Sequence, residues 1–244
     1  MAVNTNERKK NEVEFDNFAD DYNELLQKSI SASGYEASYF DEHKIRTVFD
    51  DYVADQTIKT KNIQIMNFGC GVGKSERFIN CYFPDCSICS VDISEKSITV
   101  AKEKNKQFTN IQFITFHDVQ ELASLNQRFD IIFVANVFHH IPEELHIKTL
   151  KQLRMLLSSK GYLYVFEHNP KNPLTRKVFK TCEFDVGCKM IKPSLFMQMC
   201  SEAGYSLVNK KYVLFFPKAF SFLGAIEKYL KWCPWGAQYY VKAK

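Results

Sequence analysis

Apolar and polar positions along this chain fall into two alternating periods. Phe15, Phe18, Ala19, Tyr22, Leu25 and Leu26 recur at helical spacing, which predicts an amphipathic helix over 15–26. Ile45, Val48, Phe49 and Tyr52 give 39–53 a second stripe of the same kind. Short apolar runs follow at 63–68, 87–91, 113–118, 129–136 and 162–167, each the length of a buried strand. Between them, 74–82, 94–106 and 142–157 read as helices, with Ser94 a candidate N-cap. The stretch 158–161 is a predicted turn. A last helix over 193–203 has Pro193 in its first turn and stops at Gly204, and 207–208 and 212–216 are the remaining predicted strands. Strands alternating with helices predict an α/β fold with a doubly wound, mostly parallel, seven-stranded sheet. Three segments result: a helical cap over 1–58, a core over 59–216 and an aromatic extension over 217–244.

The first strand runs directly into Gly69-Cys70-Gly71-Val72-Gly73, and the second ends on Asp92, 92 − 73 = 19 residues later. Glycines let the chain turn sharply and approach a ligand closely, and a carboxylate at the second strand's end can accept hydrogen bonds from ribose hydroxyls. A phosphate-binding P-loop would need glycine at 68, where Phe68 stands, although Gly73-Lys74-Ser75 supplies its end. A dinucleotide fingerprint would need a small residue at 74, where Lys74 stands. The tighter G-x-G-x-G spacing resembles that of class I S-adenosylmethionine (SAM) methyltransferases.

The resemblance spans about residues 60–168 and extends strand by strand. It implies a Rossmann-like fold, SAM as cofactor, and cofactor contacts from Asn67, Gly69, Cys70, Gly71, Gly73, Asp92 and Ile93. Further along it implies contacts from His117, Asp118 and Val119, with Asp118 reading the adenine amino group, and from Asn136 at the end of the fourth strand, beside the transferable methyl. Residues 137–142 resemble the segment that follows that strand in small-molecule methyltransferases. Residues 15–22 resemble an N-terminal cap in which Tyr22 closes over the cofactor; the residue-level alternative is a half-buried stripe position. One position departs from the pattern: Asn67 stands where the family carries an acid that helps hold the cofactor's ammonium group. An amide still accepts a hydrogen bond but brings no charge, so weaker cofactor binding is expected.

Because SAM carries an already activated methyl, the protein's task is to align an acceptor, exclude water and, for a hydroxyl acceptor, remove a proton. Candidate catalytic groups sit at two strand ends: His139 and His140 after the fourth, Glu167 and His168 at the fifth. The stretch from Glu167 through Asn172-Pro173-Leu174-Thr175 to Cys182-Glu183-Phe184-Asp185 has a looser similarity to methyltransferases of bacterial surface-polysaccharide and lipid-linked glycan pathways. A small-molecule or glycan acceptor, methylated on oxygen, is the resulting expectation. An isoprenoid or other lipid acceptor and a non-catalytic SAM-binding protein are the rivals.

Composition narrows the partners. The 244 residues carry a formal net charge of +4, with short, scattered basic clusters, so a nucleic-acid partner is not expected. The eight cysteines include a C-x-x-C at Cys86 and Cys89, but it straddles a strand, where i and i+3 point to opposite faces. Reduced buried thiols and no metal site are therefore expected. No apolar leader or membrane-spanning stretch is legible, so a cytoplasmic protein is expected. Residues 218–231 place Ala219, Phe222, Leu223, Ile226 and Leu230 on one helical face, followed by Trp232, Trp235, Tyr239 and Tyr240. That pattern suits either a peripheral membrane contact over 218–240 or a helix covering the domain's own apolar surface. The oligomeric state is left open.

Overall fold

A computed structural model describes residues 33–55 and 61–244; the predicted helix over 15–26, with Tyr22, lies outside the described residues. Helix α1 (Ala37–Val53) precedes β1 (Ile63–Phe68), α2 (Glu76–Tyr82), β2 (Cys86–Asp92), α3 (Glu95–Lys104) and β3 (Ile111–Thr115). Then come β4 (Phe129–Ala135), α4 (His146–Leu156), β5 (Leu157–His168), α5 (Pro173–Thr181), α6 (Pro193–Glu202), β6 (Val208–Val213) and β7 (Gln238–Ala243). The seven strands form one sheet in the order β3-β2-β1-β4-β5-β7-β6. Strands β1 to β5 pair in parallel, and β7 runs antiparallel between β5 and β6. This is the Rossmann-like arrangement that the alternating pattern predicted.

Both faces of the sheet are covered, which explains why its strands read as nearly continuous apolar runs. Met66, Cys89, Val134 and Leu163 belong to one core layer, with Leu150 and Leu153 of α4 and Phe196 of α6. Ile65, Ile88, Phe133 and Tyr164 belong to the other, with Ile45, Val48 and Tyr52 of α1 and Ile79 of α2. Each fully buried Leu, Ile or Phe contributes roughly 1.5–3 kcal/mol. Cys86 and Cys89 fall in opposite layers, as their spacing required. Near its C-terminal end, α1 is fixed to the sheet by Asp51. Its Oδ2 accepts from Lys242 at 2.6 Å and the Tyr164 hydroxyl at 3.1 Å, and its Oδ1 accepts from the Tyr240 hydroxyl at 3.2 Å and from Lys211.

Three expectations are corrected here. The predicted turn 158–161 lies inside β5: Leu157 pairs with Phe129 and Tyr162 with Ile131, so those four residues oppose Asp130 alone. A Cβ at Gly161 would lie 2.5 Å from the Phe129 carbonyl oxygen, so close backbone approach requires the glycine. The two short strands expected at 207–208 and 212–216 are the single strand β6, and the seventh strand is β7, inside the segment assigned to the extension. Tyr239 and Tyr240 are thus core residues of the sheet, not surface aromatics. Finally, 218–231 is not one helix. A 3-10 segment (Lys218–Leu223) kinked at Phe220 leads into a single helical turn, α7 (Gly224–Glu227). Its apolar side chains are only partly covered: Leu223 and Leu230 are half-buried, Phe222 is 76% exposed, and just beyond the segment Trp232 and Trp235 are 77% and 63% exposed. Among the described residues, no helix is long and apolar enough to cross a membrane.

Candidate functional site

The carboxyl ends of β1 and β2 hold the glycine loop by backbone hydrogen bonds. The N–H groups of Gly69 and Cys70 donate to the Val91 carbonyl at 2.8 and 3.1 Å. Asp92 accepts from the Gly71 N–H at 2.7 Å on one oxygen and from the Ser94 N–H at 3.0 Å on the other. It is therefore a support for the loop as well as a group facing the cavity. All three glycines have positive φ, but they serve different ends. A Cβ on Gly69 would lie 2.4 Å from Val137 Cγ2, and one on Gly73 2.8 Å from Ala101 Cβ, so these positions permit close packing. A Cβ on Gly71 would meet nothing within 4 Å. Gly71 borders a cavity of about 400 Å³ and is the glycine that leaves room for a ligand.

At one end of that cavity, a group of lining residues gathers where β2 and β3 reach their carboxyl termini. The carboxylate of Asp92 lies there beside Ile93, Phe116, His117, Asp118 and Val119, a mixture of flat apolar wall and hydrogen-bonding edge. Asp118 is also the cap of the turn Val119–Leu125: it accepts from the Gln120 N–H at 3.0 Å, while Glu121 accepts from the Asp118 and His117 N–H groups in a capping box. Lys148 reaches both Asp118 carboxylate oxygens at 3.3 Å. Glu121 and Lys148 position this edge and were not singled out from the sequence. Asn67 donates its amide to Glu76 Oε1 at 2.8 Å, and Ser90 donates to the same oxygen at 2.7 Å. The Glu76 carboxyl is pushed up by its burial, with those two donors opposing the shift. An acid thus lies directly behind Asn67, on α2 instead of on β1. Cys70 lines the cavity with its thiol pushed up by burial, the opposite of an activated nucleophile. Asn136 holds a left-handed conformation (φ 56°) at the end of β4 and accepts from Gln238 Nε2 at 3.3 Å, so β7 also borders the site.

The other end is walled by imidazoles and carboxylates. His139 Nδ1 donates to Glu167 Oε2 at 2.6 Å, and its Nε2 lies 3.2 Å from Asp185 Oδ1. Both partners are acceptors, so the ring between them carries two protons. Burial opposes that charge, but the two carboxylates outweigh it and hold His139 up at about 10. His168 and His140 stay neutral, pushed down to about 4 and about 3 by burial and by the charge on His139. His140 Nδ1 lies 3.2 Å from Cys188 Sγ, and Phe179 packs edge-on against His139 and His168. His139, His140 and His168 come together at the cavity, as their strand-end positions suggested. Glu167 does not face the acceptor side. It is 1% exposed, with one oxygen accepting from His139 Nδ1 and the other from the Phe138 N–H at 2.9 Å. Asp185, quoted in the sequence only for its resemblance, completes the wall.

The rest of the 167–175 stretch is a clamp. Asn169 Nδ2 donates to the carbonyls of Pro234 and Gly236 at 3.0 and 2.7 Å, Asn172 Nδ2 to that of Trp235 at 2.7 Å, and the Thr175 hydroxyl to that of Ala237 at 2.9 Å. Asn172 Oδ1 also accepts from the Thr175 N–H at 2.9 Å, capping α5. These residues fasten the segment after α7 to the mouth of the site.

Comparison with known proteins bears on the family and the fold. A family profile described as a methyltransferase domain matches residues 59–204. Malonyl-[acyl-carrier protein] O-methyltransferase of Bacillus cereus is 28% identical over 112 residues, covering 44% of this chain and 40% of that protein. The protein of the same name from Acetivibrio thermocellus is 25% identical over 187 residues, covering 73% and 64%. The matches thus span less than two thirds of these relatives' lengths. Magnesium protoporphyrin IX methyltransferase (ChlM) from Synechocystis PCC 6803, solved with bound SAH, superposes with a TM-score of 0.63 at 17% identity, covering 97% of this chain and 98% of that one. At that identity the likeness is one of fold.

Proposed function

The chain belongs to the class I SAM-dependent methyltransferases, and on that premise we propose that it methylates a hydroxyl oxygen of a small-molecule or glycan acceptor. When bound, SAM supplies a methyl group activated by its sulfonium centre. Gly71 leaves the space for it, Asp92 and Asp118 offer acceptors to its ribose and adenine edges, and Ile93 and Val119 flank the base. Asn67, with its amide NH2 directed to Glu76, keeps its carbonyl oxygen as the acceptor for the ammonium group. The open volume at Gly71 and the acceptor-lined nucleoside end are the features of this chain that fit the cofactor.

The observation that carries the oxygen reading is the Glu167–His139–Asp185 array with His168 beside it. Two carboxylates around one imidazolium leave a net negative wall. Such a wall disfavours an anionic acceptor and favours one that arrives as a hydrogen-bond donor. Asp185 and the neutral His168 line the cavity and can hold the acceptor's O–H, while Glu167 fixes the ring of His139 between them. The relatives from B. cereus and A. thermocellus carry names denoting transfer to oxygen, which supports oxygen as the acceptor atom; a malonyl group presents a carboxylate, so the hydroxyl part of the reading rests on the array alone. The test is a screen with methyl-labelled SAM across free sugars, nucleotide sugars and lipid-linked saccharides, with products analysed by hydrolysis and mass spectrometry. An alkali-stable methyl ether is expected; label recovered only on carbon or as an alkali-labile ester would overturn the proposal.

A second reading, a lipid-linked acceptor, is favoured by the exposed aromatics of 218–236. Phe222, Trp232 and Trp235 stand clear of the core, and the clamp ties Trp235 and Ala237 to Asn172 and Thr175, of which Ala237 and Thr175 border the cavity. Aromatic rings interleaved with Lys228 and Lys231 suit an anionic membrane surface. Co-flotation with anionic vesicles that is lost in Trp232→Ser/Trp235→Ser would support it. Absence of co-flotation would remove it.

A further inference from the structure

We propose that His139, His168 and Asp185 form a binding site for a divalent transition-metal ion, zinc in the first instance, at the acceptor end of the cavity. The three residues come from three separate places: the turn after β4, the end of β5 and the turn after α5. One ligand atom from each lies within 4.8 Å of the others. The separation between His139 Nε2 and Asp185 Oδ1 is 3.2 Å. Neighbouring ligands on a tetrahedral zinc with bonds of 2.0–2.2 Å stand about 3.3–3.6 Å apart, so this pair needs to open by only a few tenths of an ångström to form one edge of a coordination polyhedron.

The surroundings support the same assignment. A metal-bound imidazole characteristically gives its other N–H to a carboxylate, which fixes the tautomer and aims the free nitrogen at the ion. Glu167 does this for His139 at 2.6 Å, and the Phe138 N–H holds Glu167 in turn. A cation would take the place of the proton between Nε2 and Asp185, releasing it to solvent. Two nitrogens and one carboxylate suit zinc, iron(II) or manganese, and disfavour calcium and magnesium, which take all-oxygen sets. Three protein ligands leave a further coordination position, and since all three residues line the cavity, that position faces the acceptor. With the ion bound the wall would be neutral overall and Asp185 and His168 engaged as ligands, so the acceptor oxygen would meet the ion in their place and be polarised by it; this consequence rests on the proposed hydroxyl chemistry. Binding of the ion does not. The site departs from the expectation of none, because its ligands are 168 − 139 = 29 and 185 − 168 = 17 residues apart and match no metal-binding spacing.

The test uses the full chain, stripped with chelator and titrated with zinc and, separately, with cobalt(II) as a spectroscopic probe. One equivalent per chain is expected, with cobalt giving the intense visible bands of a low-coordinate site. Glu167→Gln is expected to weaken binding about 10–100-fold, and His168→Gln and Asp185→Asn by more than that. Circular dichroism and SAH binding identify variants that have failed to fold, so each loss can be read against an intact protein. Substoichiometric metal in the wild type, or a cobalt spectrum unchanged in both ligand variants, would overturn the site. Stoichiometric metal with no methyl ether formed would sink the hydroxyl reading and leave the site standing. Methyl ether formation at full rate in stripped protein that takes up no metal would do the reverse.

Discussion

Replacing Glu167 by Gln keeps the shape of the side chain and removes its charge, which makes it the most informative single change in the acceptor wall. In the wild type each carboxylate oxygen accepts one buried donor: the Phe138 N–H at 2.9 Å and His139 Nδ1–H at 2.6 Å. A glutamine offers one oxygen and one NH2, so one of those donors faces another donor. Losing a charge-assisted hydrogen bond costs about 1.5–3 kcal/mol, and leaving its partner unsatisfied in the interior adds about 1–3 kcal/mol. Reorientation of His139, which can give up its Nδ1 proton, recovers part of this, so the expected loss is about 3 kcal/mol. For a domain of this size that lowers the melting temperature by roughly 6–12 °C. Urea unfolding of metal-free protein at neutral pH measures the energy, and nitrogen-15 spectra of the imidazoles report the protons. Wild-type His139 is expected to carry both ring protons and the variant only one. A variant as stable as wild type, with the His139 ring unchanged, would refute the buried array.

Three further changes test other parts of the account. Gly73→Ala puts a Cβ 2.8 Å from Ala101 Cβ and 2.6 Å from Asn105 Nδ2 at φ 71°, so urea unfolding should show a loss of about 3 kcal/mol. Asp51→Asn should lower stability at neutral pH by about 2–3 kcal/mol, since Asp51 ties α1 to Lys211, Lys242, Tyr164 and Tyr240. Burial tends to raise the Asp51 carboxyl, but the two lysines outweigh it and hold it below the usual range. Its contribution is therefore present above the unfolded value of about 3.9 and lost as pH falls through the lower folded value, so the wild-type advantage over the variant should shrink only in strong acid. Lys148→Met should leave the fold intact and change SAH affinity measurably, because Lys148 contacts both oxygens of Asp118; an unchanged affinity would separate Asp118 from the cofactor.

The parts of the fold visible in the sequence are those set by local period and turn chemistry. The β1 run, the glycine loop and Asp92 are contiguous or lie one βαβ unit apart, and they assemble as read. β7 escaped because Gln238-Tyr239-Tyr240-Val241-Lys242-Ala243 follows a tryptophan-rich stretch and alternates no more clearly than a surface segment would. Only its pairing with β5 and β6 decides its burial. The helix drawn over 218–231 had the right period, but Glu227 accepts from the Leu214 and Phe215 N–H groups and breaks the segment into turns that follow β6. In the site, the histidines were legible from their strand ends, whereas Asp185 arrives from a turn that no spacing connects to them. The role of Glu167 reverses a simple reading: a carboxylate at a strand end looked like a base, yet its neighbour His139 stands between it and the cavity.

The central claim is that the space beside Gly71 receives SAM, and calorimetric titration with SAH tests it most directly. Gly71→Ala is the sharpest control, because its added methyl meets no protein atom within 4 Å and Gly71 borders that cavity. At φ 52° the substitution costs about 1–2 kcal/mol, so the variant should remain folded. One site per chain, binding at about −8 kcal/mol in the wild type, displaced by SAM and lost in the folded variant, is the predicted result. No heat of binding in folded wild-type protein, or equal affinity in Gly71→Ala, would contradict it.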